Sequence, residues 1–166
     1  TRAKSILHRF SAHNDLISST TGITLSPYYA GPKFAYLMDQ QPDLQATVAA
    51  GHGKLISLET LLIYHLTGKM AVDETIAGRT LLYDLQTRQW SQDLVEMFGV
   101  PEFALPAISP SNHDYGMCRI GTHEVPLTIA MGDQQAAMTG LGAESEGSLA
   151  INLGTSGSVS MNAGAT

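Results

Sequence analysis

Cysteine is nearly absent: Cys118 is the only one in 166 residues. It cannot close a disulfide within the chain, so nothing here requires an oxidising compartment, and an ordinary core or strand thiol is its expected role. Cationic side chains are also scarce, nine Lys and Arg against fifteen Asp and Glu, for a formal charge of −6. That balance argues against nucleic acid as the main partner, because phosphate backbones are held by Lys and Arg. No hydrophobic run approaches the roughly 20 residues needed to cross a bilayer. The opening TRAKSILHRFSAHN lacks the basic-then-apolar pattern of a leader. The default reading is a soluble, cytoplasmic protein with no membrane partner.

Other absences remove chemistries. The six histidines (8, 13, 52, 65, 113, 123) show no metal-ligand spacing, so no residue is assigned to a metal. AAGHGKL around Lys54 is not a phosphate loop, since Val48 and Leu55 stand where Gly and Ser or Thr are required. The GTSG around Ser156 lacks the G-x-S-x-G spacing of a hydrolase nucleophile. Asp73-Glu74 reads as a solvated acidic loop pair.

What is present is a globular composition, 43% hydrophobic and 14% charged, in a chain long enough to bury one core. It starts at Thr1 already inside a helical pattern and stops at Thr166 just after the second strand of an apparent hairpin. Both ends read as those of a piece of something longer. A helix is expected over 2–17, a polar turn-rich stretch through Gly31, then helices over 33–40 and 42–50. Leu55-Ile56 suggests a short strand. Ser57 is a good N-cap for a helix that puts Leu58, Leu61, Leu62 and Leu66 on one face and stops at Gly68. An extended segment around 81–85 precedes a compact helix from Ser91 to Gly99, and Pro101, Pro106 and Pro110 mark an irregular connector. Short strands are expected over 116–125, a strand over 127–131, a helix over 135–140, and a hairpin around a Gly-Thr-Ser-Gly turn. Seven of the 16 glycines (132, 140, 142, 147, 154, 157, 164) lie in the last 35 residues. Such density suits close backbone approach to a ligand.

Three features carry possible chemistry. In LTIAMGDQQAAMTGLG, Asp133 stands between the expected strand and helix, on the rim where α/β sheets bind ligands. The helix dipole there favours an ionised carboxylate, and Gly132 leaves room beside it. Asp133 can also be a plain N-cap, a very common use of Asp, and both readings stand. In NLGTSGS, a turn with successive N–H groups and two hydroxyls can cradle phosphate oxygens without a lysine, or can simply turn a hairpin. Together, a carboxylate to accept a hydroxyl proton and a turn to hold phosphates suit phosphoryl transfer, which depends mostly on positioning and charge. Tyr28-Tyr29 can line a sugar site through ring faces and hydroxyls, or pack in a core.

In order along the chain, TGITLSPYYAGPKFAYLMDQ, the LTG…D-x-x-x-A-x-RT-LLYD-x-x-x-x-x-W stretch, MGDQQAAMTGLGA and INLGTSGSV resemble the FGGY family of carbohydrate kinases. The resemblance implies an α/β fragment of the actin-like ATPase (ribonuclease H-like) sugar kinase fold. Residues 1–142 would be the C-terminal part of the first, substrate-binding domain, and 143–166 the opening β-hairpin of the second, nucleotide-binding domain. It implies ATP and Mg²⁺ as cofactors and phosphorylation of a hydroxyl on a small sugar or polyol. By the same resemblance Asp133 is the general base, Gln134 and Tyr28 contact substrate, and Gly154, Thr155 and Ser156 hold nucleotide phosphates. The GDQQAA box is like that of glycerol-kinase members, whereas Gly-Thr-Ser-Gly is like that of sugar-kinase members. The family's opening Asp-x-Gly-Thr hairpin and the adenine pocket have no counterpart, so the 166 residues alone are expected to be inactive. A truncated sheet would also expose an edge, favouring homo-oligomers. The rival expectation is a noncatalytic kinase-like module that binds a small ligand or a partner protein.

Overall fold

The computed structural model describes residues 2–155 and 157–164. Its elements divide between two compact units, Thr1–Ala130 and Met131–Thr166.

The first unit opens with helical turns: a 3₁₀ turn Arg2–Ile6, α1 (Leu7–Phe10), a 3₁₀ turn Ser11–His13 and α2 (Asn14–Thr21). Ser18 to Thr21 thus belong to a helix, not to the expected loop, and Gly22 closes it at φ 71°. Next come α3 (Ala30–Gln40), α4 (Pro42–Ala49), α5 (Leu58–Thr67), β1 (Ala71–Asp73) and α6 (Glu74–Ala77). β2 (Tyr83–Asp84), β3 (Gln89–Trp90), α7 (Gln92–Phe98), β4 (Ala107–Ser109), β5 (Met117–Ile120) and β6 (His123–Pro126) complete it. Caps set several boundaries where the sequence predicts them. Ser57 accepts from the Thr60 N–H and Ser91 from the Leu94 N–H, while Gly68 and Gly99 end their helices at positive φ. Pro42 opens α4 at a position where its missing N–H costs nothing.

One core joins the helices. Phe10, Ile17, Ala35, Met38, Val48, Leu82, Leu94 and Phe98 are buried together, and the Phe10 and Phe98 rings meet at 4.6 Å. Two smaller clusters lie beneath the strands, Ile63, Ala71 and Tyr115 in one and Val72, Ala77 and Tyr83 in the other. β1 and β4 pair in parallel with Val72 opposite Ile108, and β5–β6 is an antiparallel hairpin.

Several expectations are corrected. Leu55-Ile56 is not a strand, although Leu55 donates to the Ala104 carbonyl. On α5 the leucine face is exposed, and Thr60 and Ile63 face inward instead. Residues 127–131 form only a single bridge, Ile129 with Asn112, beside irregular backbone bonds to residues 111–116. Asp73 is 0% exposed rather than solvated. Its carboxylate accepts from the Thr75 and Ile76 N–H groups, from Thr75 Oγ1 at 2.8 Å and from Ser111 Oγ at 2.7 Å. A buried carboxylate needs such saturation, because an unpaired one would be prohibitively costly. Glu59 approaches the same centre: its Oε2 accepts from the Asp73 N–H at 3.1 Å, while Oε1 is buried without a partner among the described residues. Burial foremost, with the Asp73 charge adding to it, pushes the Glu59 carboxyl up to about 7.

The second unit contains α8 (Asp133–Gly140) and the hairpin of β7 (Leu149–Leu153) and β8 (Gly157–Met161). Their register sets Ala150 opposite Ser160 and Asn152 opposite Ser158. Asn162 closes the unit, its side-chain amide donating to the Glu144 carbonyl at 2.8 Å.

Candidate functional site

The second unit holds a cavity of about 90 Å³ between the start of α8 and one face of the hairpin. Asp133, Gln134, Asn152, Ser158 and Ser160 supply its polar lining, and Met138 and Leu141 contribute its apolar wall. The local geometry follows from the sequence. Gly132 is the extended N-cap residue of α8, so Asp133 is the first helical residue and not the cap. Its Oδ1 accepts from the Gln134 N–H at 2.9 Å. The Asp133 carboxyl is exposed in the first turn of α8. Such a group can accept a proton from a neighbouring hydroxyl.

The hairpin's alternation supplies the facing wall. Period-two geometry puts Ala150, Asn152, Ser158 and Ser160 on one face, and Leu149, Ile151, Leu153, Val159 and Met161 on the other. Ser160 Oγ lies 3.5 Å from Gln134 Oε1, a long contact that ties the strand to the helix. Asn152, Ser158 and Ser160 were not singled out from the sequence. The signal was available in the polar–apolar alternation of INLGTSGSVSM, once the turn had set the pairing.

Gly154 and Thr155 are exposed in the turn between β7 and β8. Small residues there leave the backbone open to an oxyanion. Ser156, the third expected phosphate contact, lies outside the described residues. Asp133 and Gln134 therefore share one cavity, and Gly154 and Thr155 sit at the tip of the hairpin that lines it.

Tyr28 belongs to the first unit, where it precedes α3 and is 69% exposed. Its ring stands edge-on to Tyr29, with centroids 5.5 Å apart. Lys33 donates to the Tyr28 carbonyl at 2.5 Å. The Arg79 guanidinium lies 5.8 Å from the Tyr28 ring centre and 5.2 Å from that of Tyr29. The expected pocket residue is thus exposed, and it has cationic neighbours to which the sequence attached no role. Among the described residues no group of three or more His, Cys, Asp or Glu side chains converges to hold a metal, and no helix is long and apolar enough to cross a membrane.

The family model for the N-terminal domain of the FGGY family of carbohydrate kinases matches residues 1–140. Glycerol kinase 2 of Streptomyces avermitilis is 34% identical over 99% of this chain and 34% of its own length. The crystal structure of Plasmodium falciparum glycerol kinase with ADP matches with a TM-score of 0.87 at 29% identity, covering 93% of this chain and 32% of that one. Gluconate kinase from Lactobacillus acidophilus, at 24% identity and a TM-score of 0.82 over 95% of this chain and 33% of that one, shares the fold. The α/β architecture is therefore that of sugar kinases with the actin-like ATPase fold. This chain spans about a third of the length of the curated relatives it matches. With the family model lying over most of its residues, the chain belongs to the FGGY family of carbohydrate kinases.

Proposed function

We propose that the complete protein transfers the terminal phosphoryl group of ATP to a hydroxyl of a small sugar or polyol, with Asp133 as general base. The observation that carries this reading is an exposed first-turn carboxylate on a cavity whose other polar groups are amides and hydroxyls. Asp133 would take the proton of the acceptor hydroxyl while that oxygen bonds to the γ-phosphorus and the bond to ADP breaks. Gln134 would hold a neighbouring hydroxyl, and Tyr28 would line the substrate pocket. Gly154, Thr155 and Ser156 would receive nucleotide phosphates; the exposed, small-residue turn at 154–155 fits that task. Among the described residues no group of three or more His, Cys, Asp or Glu side chains gathers to hold Mg²⁺. In this reading the ion arrives with the nucleotide.

The division of labour follows the family: residues 1–142 would serve the substrate domain, and 143–166 would open the nucleotide domain. Cytoplasmic location and homo-oligomer formation belong to the same reading. The relatives' greater length supports the expectation that the 166 residues alone do not turn over.

The test is ADP formation by the complete protein across a panel of sugars and polyols, wild type beside Asp133→Asn. One or a few acceptors should give turnover, and the variant should lose about 10²–10⁴ in kcat with KM little changed. No turnover on any acceptor would overturn the kinase reading, and near-normal kcat in the variant would remove Asp133 from the chemistry.

A further inference from the structure

Tyr28 poses a physical problem. A ring 69% exposed to solvent samples several orientations, and freezing it on substrate binding costs affinity. Three features of the first unit address this. The Tyr29 ring meets it edge-on at 89°. Lys33, on the first turn of α3, reaches back to the Tyr28 carbonyl and stands 5.7 Å from its ring centre. The Arg79 guanidinium spans both tyrosine rings. Neither cation is ion-paired with a carboxylate among the described residues, which leaves Arg79 to the rings and Lys33 to the Tyr28 carbonyl and ring.

The segment that delivers Arg79 is unusually constrained. Leu81 has φ 65°, a left-handed conformation that β- and γ-substituted residues rarely adopt, and its side chain is completely buried. Thr80 donates through Oγ1 to the Ala77 carbonyl at 2.6 Å and accepts from the Leu82 N–H at 3.1 Å. The Thr80 carbonyl accepts from the Gly31 N–H at 2.7 Å, fastening the segment to the start of α3, three residues from Tyr28. A Cβ at Gly31 would sit 2.8 Å from that carbonyl oxygen, so only glycine permits the approach. Backbone strain held by surrounding structure points to a positional task, and the exposed group so positioned is the Arg79 guanidinium.

We propose that Arg79, with Lys33 beside it, is a positioning residue that pre-orients Tyr28 as a platform for the neutral, polyhydroxylated substrate. The proposal rests on the reading that places Tyr28 in the substrate pocket. Pre-orientation acts on binding and not on bond making, so its signature is a change in KM with kcat preserved.

The experiment compares wild type, Arg79→Met, Arg79→Lys, Tyr28→Ala and the Tyr28→Ala/Arg79→Met double variant of the complete kinase. The probe is the panel acceptor with the highest kcat/KM, and thermal melting is recorded for each protein. Arg79→Met should raise KM about three- to fivefold, the scale of exposed cation–π contacts to two rings. Its kcat and melting temperature should stay at wild-type values, and Arg79→Lys should recover most of the loss. In the Tyr28→Ala background Arg79→Met should add nothing. An unchanged KM in Arg79→Met beside a raised KM in Tyr28→Ala overturns the positioning role, as does full additivity in the double variant. A fall in melting temperature with kcat and KM both impaired marks Arg79 as merely structural and also overturns it. An unchanged KM in Tyr28→Ala defeats the pocket reading itself, and the proposal with it, and is distinguishable because it appears without any change at Arg79.

Discussion

Two neighbouring acidic side chains, Asp73 buried and Glu59 half-buried, differ in how many donors they meet. Asp73 is fully buried and gathers four donors. Glu59 has one donor, an orphaned Oε1 and a charged neighbour, so burial raises its carboxyl to about 7. Because the folded value lies above the ordinary carboxylate value of 4.5, the folded state binds this proton more tightly than the unfolded state. The contribution is full below about pH 4.5 and is lost as pH rises through about 7. Glu59→Gln keeps an oxygen to accept from Asp73 but has no charge to bury. Relative to wild type, it should be more stable at pH 8 than at pH 5 by about 1 kcal/mol, after discounting for partial exposure. Urea unfolding at both pH values checks this; an equal difference at the two would show that Glu59 does not titrate in this range.

Elements bounded by local chemistry were legible in the sequence, and elements defined by distant partners were not. α5 and α7 end where Ser57, Ser91, Gly68 and Gly99 say they should, because capping is decided within a few residues. β1 and β4 have three residues each and pair across about 35 residues of chain, too short for a periodic signal and too far apart for a turn signal. Asp73 reads as solvated in the sequence for the same reason: one of its donors is Ser111, well downstream. At the candidate site, the Asp133 position and the hairpin turn were legible, whereas the Arg79 contact to Tyr28 required the tertiary junction at Gly31. That junction makes a prediction for α3. Gly31→Ala gains helix propensity, worth up to about 1 kcal/mol and less in a first turn. It also drives a Cβ to 2.8 Å from a backbone carbonyl that is held in place. Overpacking costs about 1–3 kcal/mol, so the net effect should be destabilising. Gly140→Ala, where an added Cβ meets nothing, is the control and should be neutral or stabilising by thermal melting. Equal behaviour of the two variants would mean that the junction yields without cost.

Across the molecule, apolar surface is distributed unevenly between inside and outside. The α5 leucines 58, 61, 62 and 66 are exposed, and so is the whole outward face of the β7–β8 hairpin, where Leu153 reaches 81% exposure. On that hairpin five apolar side chains stand on one face of two strands, and a two-stranded ribbon leaves backbone donors and acceptors open along its edges. Contiguous apolar faces of this kind favour association. A net charge of −6 opposes it only weakly at physiological salt, where the screening length is about 8 Å. The 166-residue chain in isolation should therefore self-associate, with weight-average mass rising with concentration in sedimentation or light scattering. If the hairpin face is the seat of association, replacing Ile151 and Val159 by Lys should lower the average mass, since association would have to desolvate two charges on that face. Ala150, Asn152, Ser158 and Ser160 face the other way, so the cavity beside Asp133 keeps its lining in that variant. A monomer at about 100 µM for the unaltered chain, on a mass scale set by one or two association constants in the micromolar range, would show that these faces are not sticky enough to matter. Association that persists unchanged in the double lysine variant would move it from the hairpin to the leucine face of α5.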